Sequence, residues 1–212
     1  LQFENPPGDV HIKNGYLLDG SHYVVKIASG FYENPQLGLS SSQGLMLLFC
    51  QKTGQLQAVL LDEGKLTDIR TAGAGALSVQ LLAPPKVQAI GMIGTGIQAQ
   101  EQLKQIAQVH PCRKLNVWGR TPNNVKAYTA FAHTLGFQVV PTLSRQELVE
   151  NSQVIVTTTP STEALIYADW VRPGTLITAI GADTPLKQEL DSRLLEKADL
   201  VVSDSLSQAK TR

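Results

Sequence analysis

The order of apolar and polar residues divides the chain into two halves with different patterns. From Gln2 to about Leu61, short apolar runs alternate with turn residues, and "YVVKIAS", "GLMLLFC" and "LQAVLL" predict strands. The runs Leu45–Gln51 and Leu56–Leu61 lie on either side of Thr53 and Gly54, which predicts a hairpin. We therefore expect the first half to be rich in strands.

A helix is predicted at the end of the first half. The segment 67–82, "TDIRTAGAGALSVQLL", has helical spacing, and Thr67 is the expected N-cap. The prolines of "APP" at 83–85 close this helix and mark a boundary. We therefore predict two domains, residues 1–85 and residues 86–212.

From Lys86 onward, predicted strands alternate with predicted helices. The strands are "VQAIGMIG", "KLNVWG", "QVV", "QVIVTTT", "TLITAIG" and "DLVVS". The helices are residues 97–109, residues 122–135, "RQELVEN" and "LDSRLLEKA". This βαβ alternation indicates an α/β fold of the Rossmann type, in which helices cover both faces of a doubly wound parallel sheet. A smaller α+β domain is expected to precede it.

Length and charge narrow the possible functions. The chain has 212 residues and a formal net charge of zero without a basic stripe, so nucleic acid and acidic membrane surfaces are not expected partners. The longest apolar runs are too short to span a bilayer, and the polar start does not resemble a signal peptide. A cytoplasmic protein is expected. Because the chain starts at Leu1 and "SLSQAKTR" stops within a helix-compatible stretch, we expect a fragment of a longer protein.

Potential metal ligands do not cluster along the chain. Cys50 and Cys112 lie far apart, in or beside apolar segments, which is typical of buried, reduced thiols. The four histidines are scattered, and no Cys/His pair has the spacing of metal ligands. No metal site is therefore expected.

The segment "IGMIGTGIQAQ" carries small residues at the spacing G-x-G-x-x-A. Alone, this spacing also fits a tight strand-to-helix turn without a ligand. Here it follows a buried strand and opens a helix, so that Gly94 permits the turn, Gly96 lets the backbone approach a pyrophosphate and Ala99 lets the helix pack closely on the sheet. The N–H groups and positive dipole at the helix start favour phosphate. The turn therefore predicts a dinucleotide site.

The end of the second Rossmann strand bears on the choice of dinucleotide. An Asp or Glu there usually binds the ribose 2′-hydroxyl of NAD, but this strand ends "VWGRT", without a carboxylate. Arg120 is able to pair with a 2′-phosphate and Thr121 to donate to it, although a solvated arginine at a strand end is the alternative. We therefore expect NADP(H) in preference to NAD(H).

Five motifs together resemble the ornithine cyclodeaminase/mu-crystallin family, and the resemblance covers almost the whole chain. They are, in order, "KIASGFYENPQLGL", "LTDIRTAGAGA", "IGTGIQAQEQL", "VWGRT" and "AIGAD". The family contains cyclodeaminases, alanine dehydrogenases, ketimine or pyrroline-carboxylate reductases and thyroid-hormone-binding crystallins. Its members are usually longer, with segments at both ends that complete the first domain, and they usually form homodimers through that domain. The resemblance implies that the first domain serves substrate binding and dimerisation.

The resemblance also implies three catalytic residues. Lys26 matches the lysine that contacts the substrate carboxylate or polarises its carbon–nitrogen centre, and burying a lysine in an apolar strand is otherwise costly. Arg70 matches the arginine that binds the α-carboxylate, a role that suits a bidentate guanidinium. Asp183 matches the aspartate that holds the amino group and helps with proton transfer. From the residues alone, an edge-strand lysine, a solvated helix arginine and a turn aspartate remain open.

Binding residues follow from the same resemblance. Thr95 and Gln98 complete the glycine turn, and Thr158 and Thr159 of "TTTP" end a strand beside the nicotinamide ribose in similar proteins. These four residues are therefore expected to contact the cofactor.

Two further residues are candidates for substrate binding. Lys13 stands where, by an ungapped count, ornithine cyclodeaminases carry an acidic residue and archaeal alanine dehydrogenases a basic one. A lysine there favours a second carboxylate or a smaller acid over ornithine, unless it is simply exposed on a strand. Asn34 in "ENP" matches a family asparagine near the substrate, although Asn-Pro is also ordinary turn chemistry.

These residues indicate an NAD(P)-dependent enzyme that transfers hydride at the α-carbon of an amino acid or cyclic imino acid. The reaction is either a cyclodeamination of the ornithine cyclodeaminase type, or an amino acid dehydrogenation or ketimine reduction. The alternative is a mu-crystallin-like protein that binds NADP(H) and a small molecule with little catalysis.

Overall fold

The computed structural model describes residues 1–31, 33–142, 144–184 and 186–209. The chain divides into two compact units, Leu1–Arg70 and Thr71–Arg212. The division falls inside a helix, whereas the sequence pattern places the domain boundary after that helix. The difference arises because Ala76 and Val79, in the second half of the helix, pack into the hydrophobic core of the second unit.

The first unit is built on an antiparallel sheet of five strands in the order β1-β2-β3-β4-β5. The strands are β1 Gln2–Glu4, β2 Pro7–Tyr16, β3 His22–Phe31, β4 Ser42–Cys50 and β5 Leu56–Leu60, with a short 3₁₀ helix at Asn34–Leu37. The three strands named from the sequence correspond to β3, β4 and β5. The expected hairpin is β4–β5, and its register shifts between Leu48 and Phe49.

Helix α1 spans Lys65–Leu82 and begins before the predicted N-cap. The Thr67 prediction is wrong, because Thr67 lies inside the first turn. Asp62 takes the capping role instead, since its carboxylate accepts a hydrogen bond from the backbone N–H of Leu66 at 2.6 Å. Strand β5 ends at Leu60, so Asp62 lies in the short connection before the helix.

The second unit contains a parallel sheet of five strands in the order β10-β9-β6-β7-β8. The strands are β6 Ile90–Ile93, β7 Lys114–Trp118, β8 Gln138–Pro141, β9 Val154–Thr157 and β10 Leu176–Ala179. The helices are α2 Ile97–Val109, α3 Pro122–Thr134, α4 Arg145–Glu150, α5 Arg193–Lys197 and α6 Leu206–Ala209, with a 3₁₀ turn at Ala168–Trp170. The prediction of a parallel Rossmann-type sheet is confirmed.

Two hydrophobic clusters cover the two faces of this sheet. Alternate residues of the central strands, such as Met92 and Val156, join the cluster that α2 and α3 complete. Ile93 and Ile155 join the other cluster, with Leu148 of α4. Both faces are therefore buried, as the continuous apolar strands of the sequence indicate.

A buried tyrosine ties the two helices of the first face together. Tyr128 of α3 donates its hydroxyl to the backbone oxygen of Ala99 in α2 at 3.0 Å. Burial raises the pKa of Tyr128 well above its usual range, so the phenol remains a neutral donor. The helix that follows the glycine turn is thus fixed to its neighbour as well as to the sheet.

The last predicted strand, "DLVVS", is wrong. Residues 199–203 form no ladder within the part of the chain that the structure describes, and Leu200, Val201 and Val202 are 68%, 58% and 63% exposed. A strand-like pattern indicates only a local preference, whereas a strand also needs a partner that supplies hydrogen bonds.

Among the described residues, no helix has both the length and the apolar character needed to cross a membrane.

Candidate functional site

The second unit gathers four turns at one edge of its sheet. Strand β6 lies between β7 and β9. The connection after β6 leads to β7 on one side, and the connection after β9 leads to β10 on the other side. In open α/β sheets, ligands bind in the crevice that this reversal creates at the carboxyl ends of the strands. The turns that follow β6, β7, β9 and β10 at this edge contain residues 94–96, 119–121, 158–160 and 180–183.

Backbone hydrogen bonds join these turns to neighbouring strands. The N–H of Gly94 donates to the carbonyl of Trp118 at 3.0 Å, and the N–H of Thr158 donates to the carbonyl of Ile93 at 3.0 Å. The N–H of Ile180 donates to the carbonyl of Thr157 at 2.9 Å. The strand ends are therefore held in fixed positions relative to one another.

The glycine turn leaves open space at the start of α2. Gly94 has φ +116°, and a Cβ added there would overlap the hydroxyl of Thr158. A Cβ added at Gly96 would meet nothing within 4 Å, so open space adjoins the start of α2. The N-cap residue is Gly96 itself, which has no side chain to cap the helix. Open space beside backbone N–H groups and a positive helix dipole fits a phosphate group.

The predicted cofactor residues of the glycine turn are held in place by a buried neighbour. Gln98 accepts a hydrogen bond from the side-chain amide of Gln102 at 3.1 Å, and the same amide donates to the carbonyl of Thr71 at 3.2 Å. Gln102 is fully buried, whereas Thr95 is half-buried beside the open space. Gln102 therefore restricts the orientation of Gln98.

Arg120 and Thr121 are both exposed at the end of β7. Thr121 is the N-cap of α3, and its side chain makes no capping hydrogen bond. Both side chains are thus accessible to an anion at the helix start, where the dipole adds to the charge of Arg120.

A buried carboxylate that the sequence analysis missed lies behind Thr159. Glu189 is 1% exposed and accepts hydrogen bonds from the backbone N–H of Thr159 at 2.6 Å and from its hydroxyl at 2.8 Å. The hydroxyl of Thr158 donates instead to the carbonyl of Ile93 at 3.4 Å. Glutamates are rarely buried, and the polar segment "KQELD" gives no sign that this one is.

Asp183 forms an ion pair that the sequence analysis also missed. Lys187 Nζ lies 2.6 Å from Asp183 Oδ1, and the Lys187 side chain is only 10% exposed while that of Asp183 is 54% exposed. Neither residue lies in a helix, so their spacing of four does not by itself predict the pair. Lys187 therefore holds one carboxylate oxygen of Asp183 in place.

The first unit carries a concavity lined by three cationic side chains. In the antiparallel register of β2 and β3, Lys13 lies directly opposite Lys26, and Lys26 lies opposite Met46 of β4. The two lysines therefore extend from the same face of the sheet. The concavity has a volume of about 220 Å³ and is lined by Lys13, Asn14, Gly15, Val24, Lys26, Met46 and Arg70.

The three cationic side chains of this concavity repel one another. Lys26 is only 7% exposed, while Arg70 of α1 is exposed. Like charges directly opposite in an antiparallel pair are destabilising, and burying an ammonium group is costly unless a counter-charge is near. An anion bound in the concavity would meet positive charge from three side chains. The structure thus brings three of the sequence-predicted residues together in the first unit.

Asn34 has a role within its own loop. Its side-chain amide donates to the carbonyl of Ser40 at 3.0 Å, which closes the turn after β3. It is not among the residues that line the concavity, and its contact with substrate stays a prediction.

Cys50 and Cys112 are free thiols that are partly rather than fully buried. Among the described residues, no three His, Cys, Asp or Glu side chains group as metal ligands.

Comparison with known proteins identifies the family. The model of the ornithine cyclodeaminase/mu-crystallin family matches residues 2–212. The chain belongs to this family. An uncharacterized cyclodeaminase of Sinorhizobium fredii is 35% identical over 213 residues, which cover 99% of this chain and 64% of the relative.

Two solved structures are similar throughout the chain. An archaeal alanine dehydrogenase dimer with bound NAD has a TM-score of 0.88 and 34% identity, covering 99% of this chain and 63% of that one. The Delta(1)-pyrroline-2-carboxylate reductase of Thermococcus litoralis, in complex with NADH and L-proline, has a TM-score of 0.87 and 30% identity. That match covers 93% of this chain and 61% of the reductase. The chain thus spans less than two thirds of the proteins it resembles.

Gly96→Ala tests the cofactor site with little effect on folding. The new Cβ meets no protein atom, so the melting temperature should change by less than about 2 °C, but it should raise the dissociation constant of NADH about tenfold or more by occupying the space beside the helix start. Gly94→Ala is the contrasting variant, because its positive φ and overlap with Thr158 should lower the melting temperature clearly. Fluorescence titration and thermal unfolding give the two readouts. Unchanged NADH affinity in folded Gly96→Ala protein would contradict this assignment.

Proposed function

We propose that the protein is a nicotinamide-dinucleotide-dependent enzyme that acts at the α-carbon of an amino acid or cyclic imino acid. The observation that supports this most strongly is the concavity in which Lys13, Lys26 and Arg70 converge. Three cations on one small surface match a carboxylate ligand. Family membership narrows that ligand to the amino and imino acids on which relatives act.

In this proposal Arg70 and Lys26 bind the α-carboxylate. The planar guanidinium of Arg70 binds both oxygens of a carboxylate, and the buried ammonium of Lys26 adds a point charge. Lys13, opposite Lys26, either strengthens this binding or takes a second carboxylate. A substrate with two carboxylates is therefore favoured over a basic substrate such as ornithine, whose side-chain ammonium Lys13 would repel.

Asp183 is proposed to hold and exchange the proton of the substrate nitrogen. Its ion pair with Lys187 fixes the position of one carboxylate oxygen, and a carboxylate is a group that accepts a proton. The other oxygen is able to accept a hydrogen bond from an amino or iminium group. In a dehydrogenation Asp183 takes up a proton, and in an imine reduction it returns one.

The glycine turn and the ends of β7 and β9 are proposed to hold the cofactor. A bound nicotinamide dinucleotide would supply or accept the hydride at the α-carbon. Gly96 and the start of α2 bind its pyrophosphate, Arg120 and Thr121 a ribose 2′-phosphate, and Thr158 and Thr159 approach the nicotinamide ribose. This arrangement favours NADP(H) over NAD(H).

A coupled assay of the full-length protein tests the reaction. Alanine, aspartate, lysine, ornithine and pyrroline-2-carboxylate are supplied in turn, and ammonia and nicotinamide absorbance are followed together. A stoichiometric absorbance change identifies a dehydrogenase or imine reductase. Ammonia release with catalytic cofactor and no net absorbance change identifies a cyclodeaminase. If the protein binds cofactor but gives neither signal, the proposed enzymatic activity is contradicted, and a binding protein of the mu-crystallin type is supported.

Arg70→Lys tests carboxylate binding while keeping the charge. The variant loses bidentate geometry, so kcat/KM for the active substrate should fall about 10- to 100-fold. Arg172→Lys is the matched control, because Arg172 is exposed in the second unit. Steady-state kinetics on both variants give the comparison. Equal activity of Arg70→Lys and the control would remove Arg70 from the proposed site.

Arg120→Ala tests the choice of cofactor. The variant loses the charge that pairs with a 2′-phosphate, so the dissociation constant of NADPH should rise about tenfold while that of NADH changes little. Lys126→Ala, an exposed change on the neighbouring helix α3, is the control. A parallel loss for both cofactors, or for neither, would contradict the 2′-phosphate role.

The face of the first sheet opposite the lysines is proposed to form a homodimer contact. Ile12, Tyr16 and Val59 on this face are 63%, 67% and 50% exposed. Large apolar side chains exposed on one face of a sheet are typical of a subunit interface. Val59→Asp should therefore shift the full-length protein toward the monomer in analytical ultracentrifugation, whereas Leu195→Asp on exposed α5 should not. A dimer unaffected by Val59→Asp would place the interface elsewhere.

A further inference from the structure

Glu189 is a buried charge that the proposed reaction does not use. Its two carboxylate oxygens accept four hydrogen bonds, two on each side. Oε1 accepts from the backbone N–H of Thr159 at 2.6 Å and from its hydroxyl at 2.8 Å. Oε2 accepts from the hydroxyl of Thr157 at 2.7 Å and from the backbone N–H of Gly181 at 2.9 Å. The carboxylate thus joins the end of β9 to the turn that follows β10.

The two joined segments carry residues assigned to the site. The first contains Thr158 and Thr159, and the second leads from Gly181 to Asp183. The two segments are in contact, because a Cβ added at Gly181 would overlap the backbone of Thr159 and lie 2.6 Å from Glu189 Oε1. No space remains for either segment to move toward the other.

The backbone of Glu189 is anchored independently of its side chain. Its carbonyl accepts from the N–H groups of Leu165 at 2.8 Å and Ile166 at 3.2 Å, and Ile166 pairs with Leu190 in a parallel bridge. Leu165 and Ile166 belong to the buried cluster on that face of the sheet. The carboxylate therefore extends from a fixed point, and removing its charge leaves that point in place.

We propose that Glu189 is a positioning residue that sets the separation of the 158–160 and 180–183 turns around the nicotinamide end of the cofactor. This inference rests on the proposed cofactor binding. Each carboxylate oxygen faces one backbone N–H, and a backbone N–H cannot become an acceptor. A glutamine at this position must therefore turn its own NH₂ toward one of them, so one segment loses its hydrogen bond.

Glu189→Gln in the full-length protein is the direct test. We expect faster amide hydrogen exchange confined to Thr159 and Gly181, a dissociation constant for NADH raised about tenfold, and kcat lowered about 10- to 100-fold through misplacement of the reacting groups. Glu163→Gln is the matched control, because it makes the same change on an exposed side chain after β9. NADH affinity equal to that of wild type would overturn the proposal.

Thr157→Val separates positioning from general loss of stability. Valine has nearly the same shape and removes one hydroxyl from Oε2, but both backbone N–H bonds to Glu189 remain. The melting temperature should fall while the NADH dissociation constant stays within about twofold of wild type. A loss of NADH binding as large as in Glu189→Gln would overturn the proposal, because a lost interior hydrogen bond would then account for both variants.

Gly181→Ala carries the test if Glu189→Gln does not fold. The added methyl overlaps the backbone of Thr159 and crowds Glu189 Oε1, so it pushes the same two segments apart without changing the chemistry of the carboxylate, and NADH affinity should fall as it does in Glu189→Gln. Wild-type affinity in folded Gly181→Ala protein would overturn the proposal. A wild-type protein that binds neither NADH nor NADPH would overturn the proposed function and this inference together, whereas failure of the inference alone appears only in the variants.

Discussion

The parallel alignment of five strands is the constraint on which the second unit depends. Because β6 to β10 all run in one direction, every turn at their carboxyl ends lies at the same edge of the sheet. Backbone must then approach backbone closely, which explains the positive φ at Gly94 and the lack of room for a side chain at Gly181. The buried carboxylate of Glu189 satisfies N–H groups that this crowding removes from water.

The first unit depends on a different constraint, which is the antiparallel register of β2 and β3. That register places Lys13 opposite Lys26 and so concentrates charge where an uncharged sheet would be more stable. Proteins commonly give up stability at functional sites, and the three cations that line the concavity suit an anionic ligand. The opposite face of the same sheet is apolar and exposed, so the two faces suit two different kinds of contact.

Local patterns predicted the Rossmann-type unit well because each element there is encoded by its own residues. Helix α2 begins and ends at the predicted residues, Ile97 and Val109, since an apolar strand, two glycines and a helical period follow one another directly. The predictions that were wrong concern features that depend on residues elsewhere in the chain. The carboxylate of Asp62 accepts the hydrogen bond at the start of α1 in place of the predicted cap Thr67, and "DLVVS" has no pairing partner among the described residues.

The same distinction applies to the candidate site. The family motifs pointed to Lys26, Arg70 and Asp183 one at a time, but only the strand register shows that Lys13 faces Lys26. Glu189 was missed because its partners, Thr157, Thr159 and Gly181, are brought to it by the sheet and not by a sequence motif. Contacts made by buried polar groups across strands are the part of a site that a single sequence conveys least.

Hydride transfer between a nicotinamide and the α-carbon of an amino or imino acid is the step that defines the proposed function. The most direct measurement uses the full-length protein with nicotinamide cofactor deuterated at C4 and an imino acid substrate, followed by mass spectrometry of the product. The account predicts one deuterium at the α-carbon of the product, with cofactor of one C4 stereochemistry only. A product formed without deuterium from either stereoisomer, or no product from a protein that binds the cofactor, would contradict it.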